Sequence, residues 1–562
     1  MYDLKITGGT IVDGTGRAGY PGHVGIKDGK VVALGAAPDD ADASIDATGR
    51  IVSPGFVDIH THYDAQILWD RDLSVSPWHG VTTVVMGNCG FGVAPTKRAH
   101  RDLIVRTLEK VEGMDAAALR AGLGDDWGFE SFPEYLDAIE ASGSAINVAA
   151  MIGHTPLRLN VLGEDSTERE ATPEEIATMR AAVREALEAG AVGFATSKSD
   201  THVGYAGRPV PSRLSTTEEI ATIAGALGEA GRGIMQATLG RGLLFDEMRS
   251  IAEATGRPIS WTALLAGAGG PDMWKVMLDL SSQILDDGVP VHPQVSCRPL
   301  NFEFTMAQPF PFESMRTFQP ISSALDDDAK VAIYTDPAWR AELKERLASG
   351  RAGVLGGSWE RTVVSWLPAD RSLQERNVAE LAEERCVDPS DLVLDLALES
   401  GLTARFRMAA LNWDEDAVEV LLTDPHTMLG LSDAGAHASQ LCDACFSTHL
   451  LSRWVRERRA LTLEEAVRKL TSETADIFGI TDRGRLAVSR PADVVVFDAA
   501  TIGCSPLRRV ADQPGGAERL VSDAFGIDAV VVNGTVIRRD GHDVGPSSGP
   551  LPGRLLRGGA AS

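Results

Sequence analysis

The sequence predicts an α/β protein, a (β/α)8 TIM-like barrel joined to a small β-sandwich that both chain ends build. Three observations carry this reading. Eight short apolar segments alternate with helical patterns through the middle of the 562-residue chain, as βα units do. The residues best suited to chemistry fall at the C-terminal ends of those segments, where such barrels place their active sites. Finally, a texture of short strands and Asp-Gly turns at the start of the chain returns near its end.

Residues 1–54 form the N-terminal part of the expected sandwich. Leu4-Lys5-Ile6-Thr7 runs into Gly8-Gly9, Thr10-Ile11-Val12 into Asp13-Gly14, and Asp28-Gly29 separates two further alternating runs. Residues 481–562 supply the C-terminal part, with strand candidates at 492–498 and 529–537. The Gly/Pro/Ser-rich tail from Gly541 is expected to be mobile or draped over a surface. Between them, residues 55–480 hold the barrel. Its first strand enters His60, and the others are expected at 82–86, 146–152, 191–195, 233–237, 258–262, 291–295 and 428–432. Residues 172–190 open on Thr-Pro-Glu-Glu, a cap and first helical turn, and 216–231 is a second helix candidate. The stretch 300–424 is long for one crossover and is expected to be an insertion over the barrel mouth.

Composition excludes some classes of partner. Lys and Arg number 53 against 79 Asp and Glu, a net charge of −26, with no basic run to offset it. Nucleic acid and anionic membranes both need clustered positive charge, so neither is an expected partner. No apolar run approaches the ~18 residues of a membrane span, and the first residues lack a basic-then-apolar leader. Six cysteines in so long a chain do not make a disulfide framework. A reduced, cytoplasmic protein is the expectation.

Within the barrel, Ser53-Pro54-Gly55 precedes Phe56-Val57-Asp58-Ile59 and then His60-Thr61-His62. Alternate side chains of a strand share a side, so the two imidazoles are placed to grip one divalent cation, and neutral imidazole suits zinc. The plainer alternative, that they fill hydrogen-bonding slots in a core, fits a single histidine better than this pair. Asp433, between an apolar strand and Gly435, suits a metal ligand and proton carrier better than a helix cap. His154 follows strand three, Lys198 and His202 follow strand four, and His437 lies just beyond Asp433; each is a candidate substrate contact. Arg298, after strand seven, can clamp a carboxylate in bidentate fashion or form an ordinary salt bridge. Cys442-Asp443-Ala444-Cys445 has no second pair to complete a zinc site, and is read as structural.

Three segments taken together resemble the amidohydrolase superfamily: the entry from Pro54 to His62, Ser432-Asp433-Ala434-Gly435-Ala436-His437, and the return strand at 492–498. Within it, Thr82-Thr83-Val84-Val85-Met86-Gly87-Asn88-Cys89-Gly90 and Gly153-His154 look like the N-acyl-D-amino-acid deacylase (D-aminoacylase) branch. The similarity spans essentially the whole chain. It implies a zinc-dependent hydrolytic barrel acting on a non-peptide C–N bond of a small-molecule amide, such as an N-acyl amino acid. His60 and His62 match the first-strand metal ligands, Cys89 the metal-site cysteine, and Asp433 the eighth-strand acid. In that mechanism Asp433 takes a proton from the attacking metal-bound hydroxide and hands it to the leaving nitrogen. A homo-oligomer is a further expectation.

One departure is serious. The family pattern has histidines at the ends of strands five and six, where this chain reads Met235-Gln236-Ala237-Thr238 and Ser260-Trp261-Thr262. Three arrangements answer it. A histidine from another strand enters the site; or one zinc per chain is held by His60, His62, Cys89 and Asp433; or the metal is lost. The second is preferred, because those four residues supply three protein ligands and leave an open position for water. Carboxylation of Lys198 to bridge two metals belongs to a two-metal site, which the missing histidines disfavour. The alternatives are a barrel retained as a binding or assembly protein, and an isomerase or lyase on the same metal. Retention of His60, His62 and Asp433 together argues against the first of these.

Overall fold

The computed structural model describes residues 1–36, 40–313, 315–349, 358–545 and 550–561. Eight parallel strands form the central sheet: β1 (Phe56–Asp58), β2 (Val81–Met86), β3 (Asn147–Gly153), β4 (Gly193–Ser197), β5 (Ile234–Thr238), β6 (Ile259–Thr262), β7 (Val291–Val295) and β8 (Met428–Leu429). Each pairs with its sequence neighbour, in the order expected of a singly wound barrel. The ring closes just beyond the strand ends, where Thr61 bridges Ala434 and the His62 N–H donates to the Ala434 carbonyl at 2.7 Å. That closure lays the His-Thr-His stretch against the segment that carries Asp433.

Strand register sorts side chains between two cores. Ile234, Ala195 and Met428 point into the barrel with Val57, Val85 and Met151. Trp261 points outward and meets Phe245 edge-on with ring centroids 5.5 Å apart. The helices between strands follow their end signals. Helix α1 (Pro173–Ala189) opens on a reciprocal capping box of Thr172 and Glu175 and stops at Gly190 in a left-handed conformation. Helix α2 (Thr217–Ala230) is capped by Thr216 and ends at Gly231.

Both chain ends share a nine-stranded sheet, in which Ile51–Pro54 runs antiparallel to Val494–Phe497 and joins the two halves. The sheet doubles back on itself. A Cβ placed on Gly534 would lie 2.8 Å from the Gly29 Cα, although their strands stand far apart in the sheet order. Leu4, Val24, Val494 and Val531 fill the core between. The insertion has its own three-stranded sheet, from Leu300–Thr305, Thr362–Trp366 and Arg405–Leu411. Its aromatic core includes Phe304, Phe312, Trp339 and Phe406.

The tail corrects an expectation. Of the stretch from Gly541 onward, residues 546–549 lie outside the described residues, but 550–561 dock beneath the barrel. Leu555 bridges Val148 of β3, and the Leu556 N–H donates to the Val148 carbonyl at 2.7 Å. The Leu556 side chain is fully buried among the barrel's interior residues. An apolar pair in a Gly/Pro-rich context had a partner that composition could not reveal. Leu556→Ala is expected to destabilise the protein by about 2–5 kcal/mol, measured by denaturant unfolding.

Among the described residues no helix is long and apolar enough to cross a membrane. All six cysteines are free.

Candidate metal centre

Regular pairing of β1 stops at Asp58, and the extended residues beyond it carry His60 and His62 into a cavity of about 350 Å³. Cys89 enters from the turn after β2. That turn needs its glycines: a Cβ on Gly87, at φ +87°, would stand 2.2 Å from the Met151 carbonyl oxygen. Cys89 itself takes φ 55°, as Asp433 takes 46° and His437 takes 47°, a backbone region that non-glycine residues enter at a cost. Leu431, also on the cavity wall, shares this left-handed backbone at φ 62°, and surrounding hydrogen bonds hold the three polar residues in place. The Cys89 N–H donates to Gln236 Oε1 at 2.6 Å, and the His437 N–H to the Glu112 carbonyl at 2.5 Å. Asp433 is followed by the Ala436 N–H donating to its carbonyl at 2.9 Å.

The donor atoms converge. His60 Nε2 lies 3.2 Å from Asp433 Oδ1 and 3.5 Å from Cys89 Sγ, and His62 Nε2 lies 3.7 Å from the same Asp433 oxygen. The ligand atoms of His60, His62 and Cys89 all fall within 4.8 Å of one another. Tetrahedral zinc with bonds of roughly 2.0–2.3 Å separates its ligand atoms by roughly 3.3–3.8 Å, so the spacing suits that ion. The charges suit it too. Burial opposes charging His60 and His62, yet Cys89 and Asp433 beside the first, and Glu112 beside the second, raise both imidazoles above their usual range. Burial likewise opposes the Cys89 thiolate, but the two imidazoles bring its pKa down to about 7. Asp433, despite burial, is held below the ordinary carboxylate range by His62, His60 and His437. A divalent cation would replace the imidazole protons in this set.

Partners behind the ligands aim the rings. His60 Nδ1–H donates to Gln294 Oε1 at 2.7 Å, and Gln294 Nε2 donates in turn to Ser260 Oγ at 2.7 Å. This leaves His60 Nε2 as the lone-pair nitrogen facing the cavity. His62 Nδ1 faces Glu112 Oε1 at 3.3 Å, a carboxylate only 2% exposed. Such partners fix tautomer and ring orientation. Gln294→Ala and Glu112→Gln are each expected to weaken zinc binding about 10–100-fold in a chelator competition, with the fold intact.

Strands five and six are now explained. Gln236 points into the barrel, but its carboxamide serves Cys89 and, at 3.3 Å, Thr262 Oγ1. Ser260 holds Gln294, and Thr262 donates to Thr238 Oγ1 at 3.2 Å. Where the family pattern has two histidines, this barrel has amide and hydroxyl groups that brace the His60–Cys89 pair.

The expected substrate contacts divide. His202 and His437 line the cavity with Asp433. His202 Nδ1 meets Ser197 Oγ at 2.6 Å, and burial pushes its pKa down to about 3, so the ring is neutral. His154, Lys198 and Arg298 are not among the lining residues, and each is a correction with a geometric cause. Ser197 points inward on β4, so its neighbours Thr196 and Lys198 point out. His154 bonds Thr196 Oγ1 at 2.8 Å and Glu219 Oε1 at 3.0 Å behind the strand, in a fully buried set with Arg158. The Lys198 ammonium donates to the carbonyls of Arg213 and Ser215 at 2.5 and 2.6 Å, away from any bridging position. Arg298 donates from Nε to Asp443 Oδ1 at 2.8 Å. Asp443 itself reaches the cavity wall, a role not expected within Cys442-Asp443-Ala444-Cys445.

The model of the amidohydrolase family matches residues 43–538. The D-aminoacylase of Alcaligenes xylosoxydans xylosoxydans is 30% identical over 557 residues, 98% of each chain. A D-aminoacylase structure with a binuclear metal centre superposes with a TM-score of 0.65 at 26% identity, covering 99% of both chains. The N-acyl-D-glutamate deacylase of Bordetella bronchiseptica, complexed with zinc and a phosphonate mimic of the tetrahedral intermediate, gives 0.64 at 27% identity over 99% of both. The chain therefore belongs to the amidohydrolase family, hydrolases of carbon–nitrogen bonds other than peptide bonds, and within it to the D-aminoacylase-like branch.

Proposed function

We propose that this protein removes the acyl group from an N-acyl-D-amino-acid-type substrate, with one zinc ion per chain held by His60, His62, Cys89 and Asp433. The observation that carries the reading is the convergence of those four donors on the wall of one cavity. The zinc and phosphonate bound to the Bordetella bronchiseptica deacylase support the choice of metal and reaction. A barrel kept only for binding has no use for so complete a donor set.

Bound zinc supplies Lewis acidity, polarising the amide carbonyl and easing deprotonation of a water molecule. The protein's own groups do the rest. Asp433 uses Oδ1 toward the histidines, which leaves Oδ2 to accept the proton of the attacking water and pass it to the departing nitrogen. His202 and His437 reach the same cavity and are the donors for oxygen charge that develops at the carbonyl. Gln294 and Glu112 keep both metal-facing imidazoles in register, and Gln236 does the same for Cys89 through its backbone.

Acetate release from N-acetyl-D-amino acids and their carboxamides, against the L-enantiomers, tests this directly. Zinc-loaded enzyme is expected to favour the D series by about 100-fold or more. Equal rates on both enantiomers would remove the D-specific part of the reading, and no release from any would remove the deacylase.

A further inference from the structure

On the deacylase reading, the walls of the cavity define the substrate more narrowly. Its described lining holds the carboxylates of Glu112, Asp433 and Asp443 but no lysine or arginine. Three described cations that follow the barrel strands are committed elsewhere. Arg298 is paired with Asp443, and the Lys198 ammonium with two backbone carbonyls. Arg213 donates to Asp200 Oδ1 at 2.5 Å and to the His202 carbonyl at 3.3 Å.

Away from the histidines and carboxylates the wall is uncharged. Hydroxyls of Thr201, Thr238 and Thr262 stand among Leu239, Leu265 and Met277. A free carboxylate carried into this cavity gives up its water with no lysine or arginine among the described lining residues to pair with it, beside the carboxylates of Glu112, Asp433 and Asp443. A carboxamide or ester meets the same hydroxyls as an uncharged hydrogen-bonding group.

We propose that the substrate is an N-acyl-D-amino-acid derivative whose own carboxyl is capped as an amide or ester, with an apolar side chain against the leucine and methionine wall. The enzyme then cleaves the acyl C–N bond by adding water across it, releasing the acyl group as a carboxylic acid and the capped amino compound as a free amine.

The test compares acetate release from N-acetyl-D-methioninamide and N-acetyl-D-methionine by the zinc-loaded enzyme. A kcat/KM at least about tenfold higher for the carboxamide is expected. Equal rates, or preference for the free acid, would overturn the proposal while leaving the deacylase standing. Should neither release acetate, the deacylase reading fails, and calorimetric titration of both compounds into the same holoenzyme decides the rest. Tighter binding of the carboxamide supports a site for neutral ligands; tighter or equal binding of the acid, or binding of neither, overturns it.

Discussion

Replacing His60 and His62 together by alanine is expected to lower bound zinc from about one ion per chain to a trace, and turnover by about a thousandfold or more. Both rings contribute Nε2 to the convergent cluster, and both are set by buried partners that then have nothing to hold. Elemental analysis after dialysis reads the metal, and a thermal melt checks that the barrel persists. Zinc near one per chain in the double variant would place the metal elsewhere. Two ions per chain in the wild type would reject the single-metal assignment, because strands five and six offer Gln236, Ser260 and Thr262 already bonded to neighbours.

Asp433→Asn carries the second large effect. Asparagine keeps an oxygen near the histidines but cannot take up a proton. A kcat lower by about 10²–10⁴-fold is expected, with KM little changed and zinc retained through His60, His62 and Cys89. A loss of less than about tenfold would assign the proton transfer to another group. His437 and His202 are the nearest alternatives, since both line the same cavity.

Much of the molecule was legible in the chain. Eight apolar segments led to the observed strand order, and the histidine pair at the end of one and the aspartate at the end of another line one cavity. What supports the ligands was harder to read. Gln294 lies within the expected seventh strand, but its partner His60 is 234 residues away, so no local pattern marks the pair. Glu112 carries no motif that sets it apart from other acids near a helix end. Its one signal was an unfavourable charge at the C-terminal end of Arg101–Val111, just before Gly113. Gln236 stands in the stretch where the family pattern has a histidine, and its carboxamide is a brace for Cys89.

The substrate contacts show where sequence reasoning stops. His154, Lys198 and His202 all follow barrel strands, yet only His202 reaches the cavity. At a strand end a shift of one residue moves a side chain from the inside of the barrel to the layer beneath the helices, and register is a property of the assembled sheet. Arg298 was equally fit for a carboxylate or a salt bridge, and the approach of Asp443, 145 residues later, chose the second.

By itself, then, the sequence determined the barrel, the shared sheet of the two ends and the identities of four side chains, His60, His62, Cys89 and Asp433, that meet at the cavity. Apolar period, turn residues and the chemistry of His, Cys and Asp are local properties. Tertiary structure alone decided that His60 and Asp433 stand 3.2 Å apart, that strands five and six brace the site, and that no described lysine or arginine lines the cavity. Those outcomes depend on which distant groups the closed barrel brings within hydrogen-bonding reach, and on how each buried charge finds its partner.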